Sequence, residues 1–392
     1  MDLPLNIPAD IDKYFYNRKE DIKLINAYLN MLNDGIANQI LVTGFRAVGK
    51  TFFLKKVLQD QPDSFLTAYV DLSKIYGKEF AKLSEVEVLK EILKQINHTL
   101  IKYEGEIPNF KHDIINWIKQ LPLKSYDFTN SINFLDIPIP EIKDNYSKLS
   151  EFVMELPQKI VDNYENINGF VIVIDEFQNL KNLENPDAFF WLMRSFSQTQ
   201  HNVSYIFTGS ISNTSDIITM INGPTGAYGG RMIQINIEPF TKEETFNYIT
   251  DRTNLQFTDD GFEEFYNLTR GMPSYINSFC NVLDSSEEYN KEKITNTFLI
   301  KLDQINVLWL TIWGTFSDIE KTIIIKLLEN EEMSWDELIN IIPYSKSTII
   351  KYVEILNNRG IIDHYYNKYE ISDSMLKVWL KYKNTMDGHY PY

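Results

Sequence analysis

Two patterns of apolar positions alternate along the first part of the chain. Short strand-like stretches rich in apolar residues lie at Ile40-Leu41-Val42, at residues 66–72, at Phe170-Val171-Ile172-Val173-Ile174, at residues 203–207 and at residues 232–237, the first and third of them unbroken. The two unbroken runs are flanked by polar residues or glycine, as strands buried on both faces are. Around them the apolar positions recur at helical spacing: within 12–32, an entry segment followed by a helix that Asn17-Arg18-Lys19-Glu20 start, then at Phe52, Phe53, Val57 and Leu58 up to Pro62, then over 83–103, 110–121 and 149–164. Strands alternating with helices predict an α/β domain with a parallel sheet covered on both faces. Residues 125–142 break the pattern with polar alternation and Ile137-Pro138-Ile139-Pro140, which reads as an extended arm or hairpin inserted at about 122–145.

From residue 241 onward the periodicity is helical, over 241–253, 259–269 and a further helix opened by Arg270-Gly271-Met272-Pro273. Thr241-Lys242-Glu243-Glu244 fits a capping box, Thr258-Asp259-Asp260 supplies another N-cap, and the group reads as a small helical lid. An apolar helix over 298–313 is the expected connector. Beyond it, Ile319, Ile323, Ile324, Leu327 and Leu328 mark one helix, and the capping box Ser334-Trp335-Asp336-Glu337 opens a second. A third is predicted over 345–358, with Ile349, Ile350, Val353 and Leu356 inward and Gly360 as its stop. Residues 361–365 and 369–372, joined by Asn367-Lys368, then predict a two-stranded wing. Three helices and a hairpin make a winged helix-turn-helix. The expected division is therefore a core over 1–238, a lid over 239–300, and connector plus winged helix over 301–392.

The candidate chemistry sits at the ends of the strands. Gly44-Phe45-Arg46-Ala47-Val48-Gly49-Lys50-Thr51 fits G-x-x-x-x-G-K-[ST] without mismatch, between a predicted strand and a predicted helix. The glycines let backbone N–H groups turn toward phosphate oxygens, and the helix N-terminus adds its positive dipole end. Lys50 would reach the β- and γ-phosphates, and the Thr51 hydroxyl would ligate Mg²⁺. The run 169–174 ends in Asp175-Glu176, carboxylates that emerge at the strand's C-terminal edge, where open α/β sheets bind ligands. The first acid can hold Mg²⁺ through water and the second can orient the attacking water. The run 203–207 ends in Thr208-Gly209-Ser210, either a contact to the γ-phosphate or a plain strand cap and turn. A glycine-rich loop over 223–230, read as flexible, leads into Arg231, either a group that reaches a phosphate or one side of an ion pair. Arg194 carries the same two readings. No N-K-x-D guanine signature follows the acidic strand, so ATP is favoured over GTP.

These segments together resemble an archaeal AAA+/STAND-type P-loop ATPase with a C-terminal winged helix, related to the archaeal origin-recognition initiators. The resemblance runs through GFRAVGKT, VIVIDEFQNL, FTGS, GGRMIQINIEPFTKEET, TRGMPSYINSF and the terminal wing. It implies that Asp175 is the Walker B metal residue, Glu176 the water-orienting residue, Thr208 or Ser210 the first sensor and Arg231 the arginine finger. It also implies that Pro273 packs near the adenine. The chain departs from the family in its long interval between Thr51 and Asp175, and in offering only Arg270, ahead of the glycine, for a second sensor.

Composition narrows the partners. Across 392 residues, 38 basic against 54 acidic side chains give a net charge of −16, so a contact with nucleic acid needs a local patch. Over 317–392 there are nine Lys/Arg and twelve Asp/Glu, yet the third helix carries Lys346, Lys351 and Arg359 against Glu354. That patch could meet phosphates of double-stranded DNA while Ser347 or Asn357 reach a groove; a protein-facing role is the alternative. A nucleotide-dependent homo-oligomer is a further expectation, from Arg231. The single Cys280 excludes an intrachain disulfide, and five scattered histidines do not suggest a metal site. The start, MDLPLNIPAD, lacks a basic stretch followed by an apolar core, and no apolar run is of membrane-spanning length. The reading is a cytoplasmic chain without a membrane partner.

Overall fold

The computed structural model describes residues 3–78, 83–104, 116, 132–134, 137–139, 146–209, 216–305, 310, 312–359, 361–365 and 367–391. Its centre is a parallel sheet of β1 (Ile40–Thr43), β2 (Phe65–Asp71), β5 (Gly169–Asp175), β6 (Val203–Thr208) and β7 (Ile233–Asn236), in the order β2-β5-β6-β1-β7. Each strand matches one of the apolar runs. Alternation inside the runs divides the core: Val171 and Val173 of β5 face one hydrophobic cluster, while Phe170, Ile172 and Ile174 face the other. The inner strands β1, β5 and β6 are buried along their whole length, as strands covered on both faces are, whereas the edge strands β2 and β7 are partly open and carry polar residues such as Thr67 and Gln234.

In the expected arm, β3 (Ile132–Phe134) and β4 (Ile137–Ile139) pair antiparallel, with Asn133 opposite Pro138. The helix expected over 110–121 lies outside the described residues except for residue 116, which is helical. The helix of the entry region starts where Asn17-Arg18-Lys19-Glu20 placed it, and the segment before it adds one short helix. Ile11–Tyr14 forms one short helix and Lys19–Asn30 the next, separated by Asn17 and Arg18, both left-handed at φ 58° and 64°.

The lid consists of helices Lys242–Arg252, Asp259–Thr269 and Pro273–Cys280, with β8 (Gln256–Phe257) paired to β9 (Glu288–Tyr289). Helix Lys291–Ile305 continues from it across the expected boundary at 300 into the start of the expected connector, of which residues 306–309 and 311 lie outside the described residues. Thr241 and Glu244 form the capping box, and Thr258 accepts from the Gly261 N–H. The C-terminal unit runs helix Asp318–Asn330, β10 (Glu332–Ser334), helices Trp335–Ile341 and Lys346–Asn358, β11 (Ile362–Tyr365), β12 (Lys368–Ile371) and helix Ser374–Asp387. The hairpin is thus part of a three-stranded sheet, β10-β12-β11. β10 is three residues, Glu-Met-Ser, too short to show alternation. Gly360 lies outside the described residues. Ile350, expected inward, is 40% exposed, because helix Lys346–Asn358 buries the stripe through Ile349, Val353 and Leu356.

The C-terminal unit packs on the lid. The Tyr275 hydroxyl donates to Asp373 Oδ2 at 2.6 Å in a buried bond, and lid helix Asp259–Thr269 lies against helix Ser374–Asp387. The N-terminal strap docks on the same lid helix, with Leu3 N–H donating to Asn281 Oδ1 and Asn277 Nδ2 donating to the Pro4 carbonyl. Among the described residues, no helix is long and apolar enough to cross a membrane.

Candidate active site

The loop after β1 owes its shape to two glycines and one strained residue. Gly44 has φ 144°, and a Cβ there would stand 2.5 Å from the Ile237 carbonyl oxygen, so a side chain is excluded on both counts. Gly49 has φ 96° and starts the helix Lys50–Gln59. Ala47, at φ 67°, is left-handed without being glycine, a cost that backbones tolerate mainly at functional positions. Val48 is buried beneath the loop, whereas Phe45 is exposed.

Lys50 is buried, and its ammonium donates to the Gly44 and Phe45 carbonyls at 2.9 and 2.8 Å. Burial pushes its pKa down to about 8, against the pull of Glu176 and Asp175. The Thr51 hydroxyl donates to Asp175 Oδ2 at 2.9 Å, and the Tyr69 hydroxyl from β2 donates to the same oxygen. Asp175 Oδ1 accepts the backbone N–H of Glu176 at 2.8 Å. Burial, and then the charge of Asp175, raise the Glu176 pKa above the usual carboxylate range. Register puts Thr208 directly beside Asp175 on the neighbouring strand; its hydroxyl is buried and unpartnered among the described residues. Ser210, the other candidate, lies outside them.

A cavity of about 340 Å³ opens over this loop. Arg46 to Thr51 and Glu176 line one end, and Pro273, Ser274 and Asn277 of the lid close another side. The Ser274 N–H donates to the Ala47 carbonyl at 3.4 Å, so lid and loop touch. The remaining wall includes Tyr14, Phe15, Tyr16, Arg18 and Phe240. Arg18 is largely buried, donates to the Val48 carbonyl at 3.3 Å and lies 4.9 Å from the Phe240 ring centroid. The sequence reading assigned none of these wall residues, nor Tyr69. The signal was Asn17-Arg18, a polar pair ahead of a helix, but its left-handed backbone has no sequence mark without glycine.

The site suits a nucleotide and a divalent cation on its own chemistry. The turned glycine loop, the buried lysine and a cavity of nucleotide size fit a triphosphate. A threonine hydroxyl and a carboxylate in direct contact are hard oxygen donors of the kind Mg²⁺ takes. Among the described residues no cluster of three His, Cys, Asp or Glu side chains forms a separate metal site.

The arginines divide. Arg231 is exposed, has no ion pair among the described residues and does not line the cavity of its own chain. The loop before it is packed, not flexible: Ala227 and Tyr228 are buried, and their N–H groups bond the Met220 and Ile221 carbonyls at 2.9 and 2.7 Å. Arg194 donates to the Ala227 carbonyl and lies over the Trp191 ring, so it pins this loop and meets neither sequence reading. Arg270 is the left-handed C-cap of its helix and stays out of the cavity lining. In the C-terminal unit Lys346, Ser347 and Lys351 are exposed, but Arg359 is bound to buried Glu320 at 3.0 Å and drops out of the basic patch.

Comparison with known proteins agrees with this geometry. Over 96% of the chain and 99% of its own length, a Walker-type ATPase of Pyrococcus abyssi is similar, with a TM-score of 0.65 and 16% identity. The Aeropyrum pernix ORC1 protein, solved in complex with DNA, covers 97% of this chain and 95% of its own at 11% identity and a TM-score of 0.48. The ORC2 protein of the same organism, in its ADP form, covers 96% and 97% at 12% identity and a TM-score of 0.47. A search of curated protein sequences gave no match. A family profile, described as an ATPase domain predominantly from Archaea, matches residues 15–279. That span holds the glycine loop, the acidic strand and the lid proline, and the chain belongs to this family of ATPases.

Proposed function

We propose that the chain is an ATP-hydrolysing switch whose nucleotide state is passed through the lid to a C-terminal winged helix. The observation that carries this reading is the convergence of Lys50, Thr51 and Glu176 on the cavity, with Asp175 bonded to Thr51 beside it. Lys50 exchanges its loop carbonyls for phosphate oxygens, and the backbone of Gly44, Phe45, Arg46, Ala47, Val48 and Gly49 cradles them. Thr51 and Asp175 hold Mg²⁺, which when bound neutralises charge on the phosphates. Glu176 orients water against the γ-phosphate, Thr208 or Ser210 supplies the sensor position, and Pro273 packs beside the base. Arg231 reaches the site of a second copy, in keeping with its exposure and its absence from its own cavity.

Lid helix Pro273–Cys280 supports the coupling. It brings Pro273, Ser274 and Asn277 to the cavity and Tyr275 to Asp373 of the C-terminal unit. A shift at the nucleotide moves both ends of one rigid element. On this reading the chain divides into a core over 1–238, a lid over 239–300 and a winged helix unit over 301–392, whose helix-strand-helix-helix-strand-strand order fits a winged helix-turn-helix. Its ligand is double-stranded DNA met by Lys346, Ser347 and Lys351. A second reading has a specific observation behind it: Ile341, Tyr344 and Ile350 are exposed in the same unit, which suits a protein partner and a low-turnover scaffold. ATP turnover and molecular mass, measured with and without duplex DNA, separate them. Stimulation or a change of mass on DNA supports the first; no response to DNA at low salt supports the second.

A further inference from the structure

Glu176 stands in an unusual place for a residue that must aim a carboxylate. Its backbone is left-handed, at φ 55° and ψ 39°, and the turn Phe177–Asn182 begins directly after it. The Asn179 N–H bonds the Glu176 carbonyl at 2.9 Å, and buried Phe177 meets Phe207 of β6 edge-on at 6.1 Å. This tight turn folds the Gln178 side chain back over Glu176, where its Nε2 donates to Glu176 Oε2. The other end of that amide, Oε1, is buried and has no partner among the described residues. No hydrogen bond among them fixes this buried end of the amide, which is seated by packing alone.

Beyond it lies Gly209. Its backbone does not require glycine, since its φ is outside the left-handed region, yet a Cβ there would stand 2.0 Å from Gln178 Oε1 and 3.1 Å from its Cδ. The space a side chain would fill at 209 is occupied by the Gln178 amide. Gly209 directly follows Thr208, which pairs with Asp175 across β5 and β6. The amide therefore bridges the carboxylate and the end of β6.

We propose that Gln178 is a positioning residue for hydrolysis: it holds the Glu176 carboxylate in place at the phosphate end of the cavity and, seated against Gly209, ties it to the end of β6. The choice of an amide is chemically apt. A cationic donor would neutralise the carboxylate, whereas an N–H from an uncharged amide orients one oxygen and leaves Oε1 for the water. The inference rests on Glu176 being the water-orienting residue.

The test uses the full chain and four variants: Glu176→Gln, Gln178→Met, Gly209→Ala and the double Gln178→Ala/Gly209→Ala. Turnover, Mg·ATP affinity and thermal unfolding are measured on each. Gln178→Met keeps the shape and loses the donor, so kcat should fall about tenfold or more while affinity stays within about twofold. Gly209→Ala should reproduce that loss by displacing the amide. In the double variant no amide remains to displace, so the loss should be no greater than in either single variant, the signature of one coupled unit. If Gln178→Met turns over at the wild-type rate while Glu176→Gln is slow, the proposal is overturned and the Glu176 reading stands. Wild-type turnover in Glu176→Gln removes both. Parallel losses of affinity and kcat in Gln178→Met assign it to packing and overturn the proposal. Additive losses in the double variant remove the link to Gly209.

Discussion

The cleft and the C-terminal unit treat their charged side chains in opposite ways. In the cleft, Lys50 and Asp175 are buried, and Thr51, Tyr69 and the Glu176 N–H all bond the same carboxylate. On helix Lys346–Asn358, Lys346 and Lys351 project into solvent, and the nearby Arg359 is turned back onto Glu320. Burying charge is costly unless partners or a ligand compensate, so a buried cluster beside a cavity marks chemistry. Exposed lysines cost nothing to keep and mark, at most, an adaptable surface. The residues of the first region should therefore act through rate and affinity, and those of the second through salt-sensitive association.

The largest break is expected from Arg231, which belongs to neither region and stands free on the core surface among the described residues. Arg231→Ala should bind ATP normally and hydrolyse it about a thousandfold more slowly, the scale of a lost arginine finger. Specific activity of the wild type should rise with protein concentration, and mixing Arg231→Ala with Lys50→Ala should restore part of the rate. Flat specific activity and an inactive mixture would keep Arg231 out of a neighbour's site.

Glu176→Gln comes next. It keeps the shape of the side chain and loses the charge, so turnover should fall by about two decades while ATP affinity holds. Hydrolysis at the wild-type rate would take water activation away from Glu176.

Two smaller effects sharpen the contrast. Lys50 is depressed to about 8, so it carries its charge below that pH and loses it as pH rises through it. Phosphate favours the charged form, so ATP binding should take up a proton above pH 8 and weaken by at most about tenfold per pH unit. Lys50→Arg, charged throughout, should show no such slope in calorimetric titrations in paired buffers. In the C-terminal unit, if Lys346 and Lys351 contact two phosphates of a duplex, affinity should fall about tenfold between roughly 50 and 200 mM salt. Lys346→Glu with Lys351→Glu should abolish that binding and leave ATP turnover without DNA unchanged. Salt-insensitive binding would contradict a phosphate contact.

The same contrast explains what the sequence disclosed. The middle of the sheet was legible because β1, β5 and β6 are buried on both faces and almost wholly apolar, and the glycine loop because Gly44 and Gly49 are required by the backbone itself. Asp175 and Glu176 were legible as acids ending such a strand. Tyr69 was hidden because a tyrosine within a strand looks like core, and only β2 lying beside β5 brings its hydroxyl to Asp175. Arg18 and Phe240 were hidden because they meet across a chain interval that no local pattern spans. Arg359 misled for the opposite reason: at the end of a helix it looks like surface charge, and its partner Glu320 lies on another helix. The packed loop before Arg231 looked flexible because glycines there signal freedom, although Cβ atoms at Gly223 and Gly226 would press on the Thr219 carbonyl at 2.4 and 2.5 Å.

The central claim is that ATP is held by the buried lysine of the glycine loop in this cavity. Equilibrium binding of Mg·ATP to Lys50→Ala, beside the wild type, tests it most directly. Loss of the main cationic contact should weaken affinity by about a hundredfold or more with thermal unfolding little changed, on the scale of a buried charge pair broken. Unchanged affinity for Mg·ATP in Lys50→Ala would contradict it.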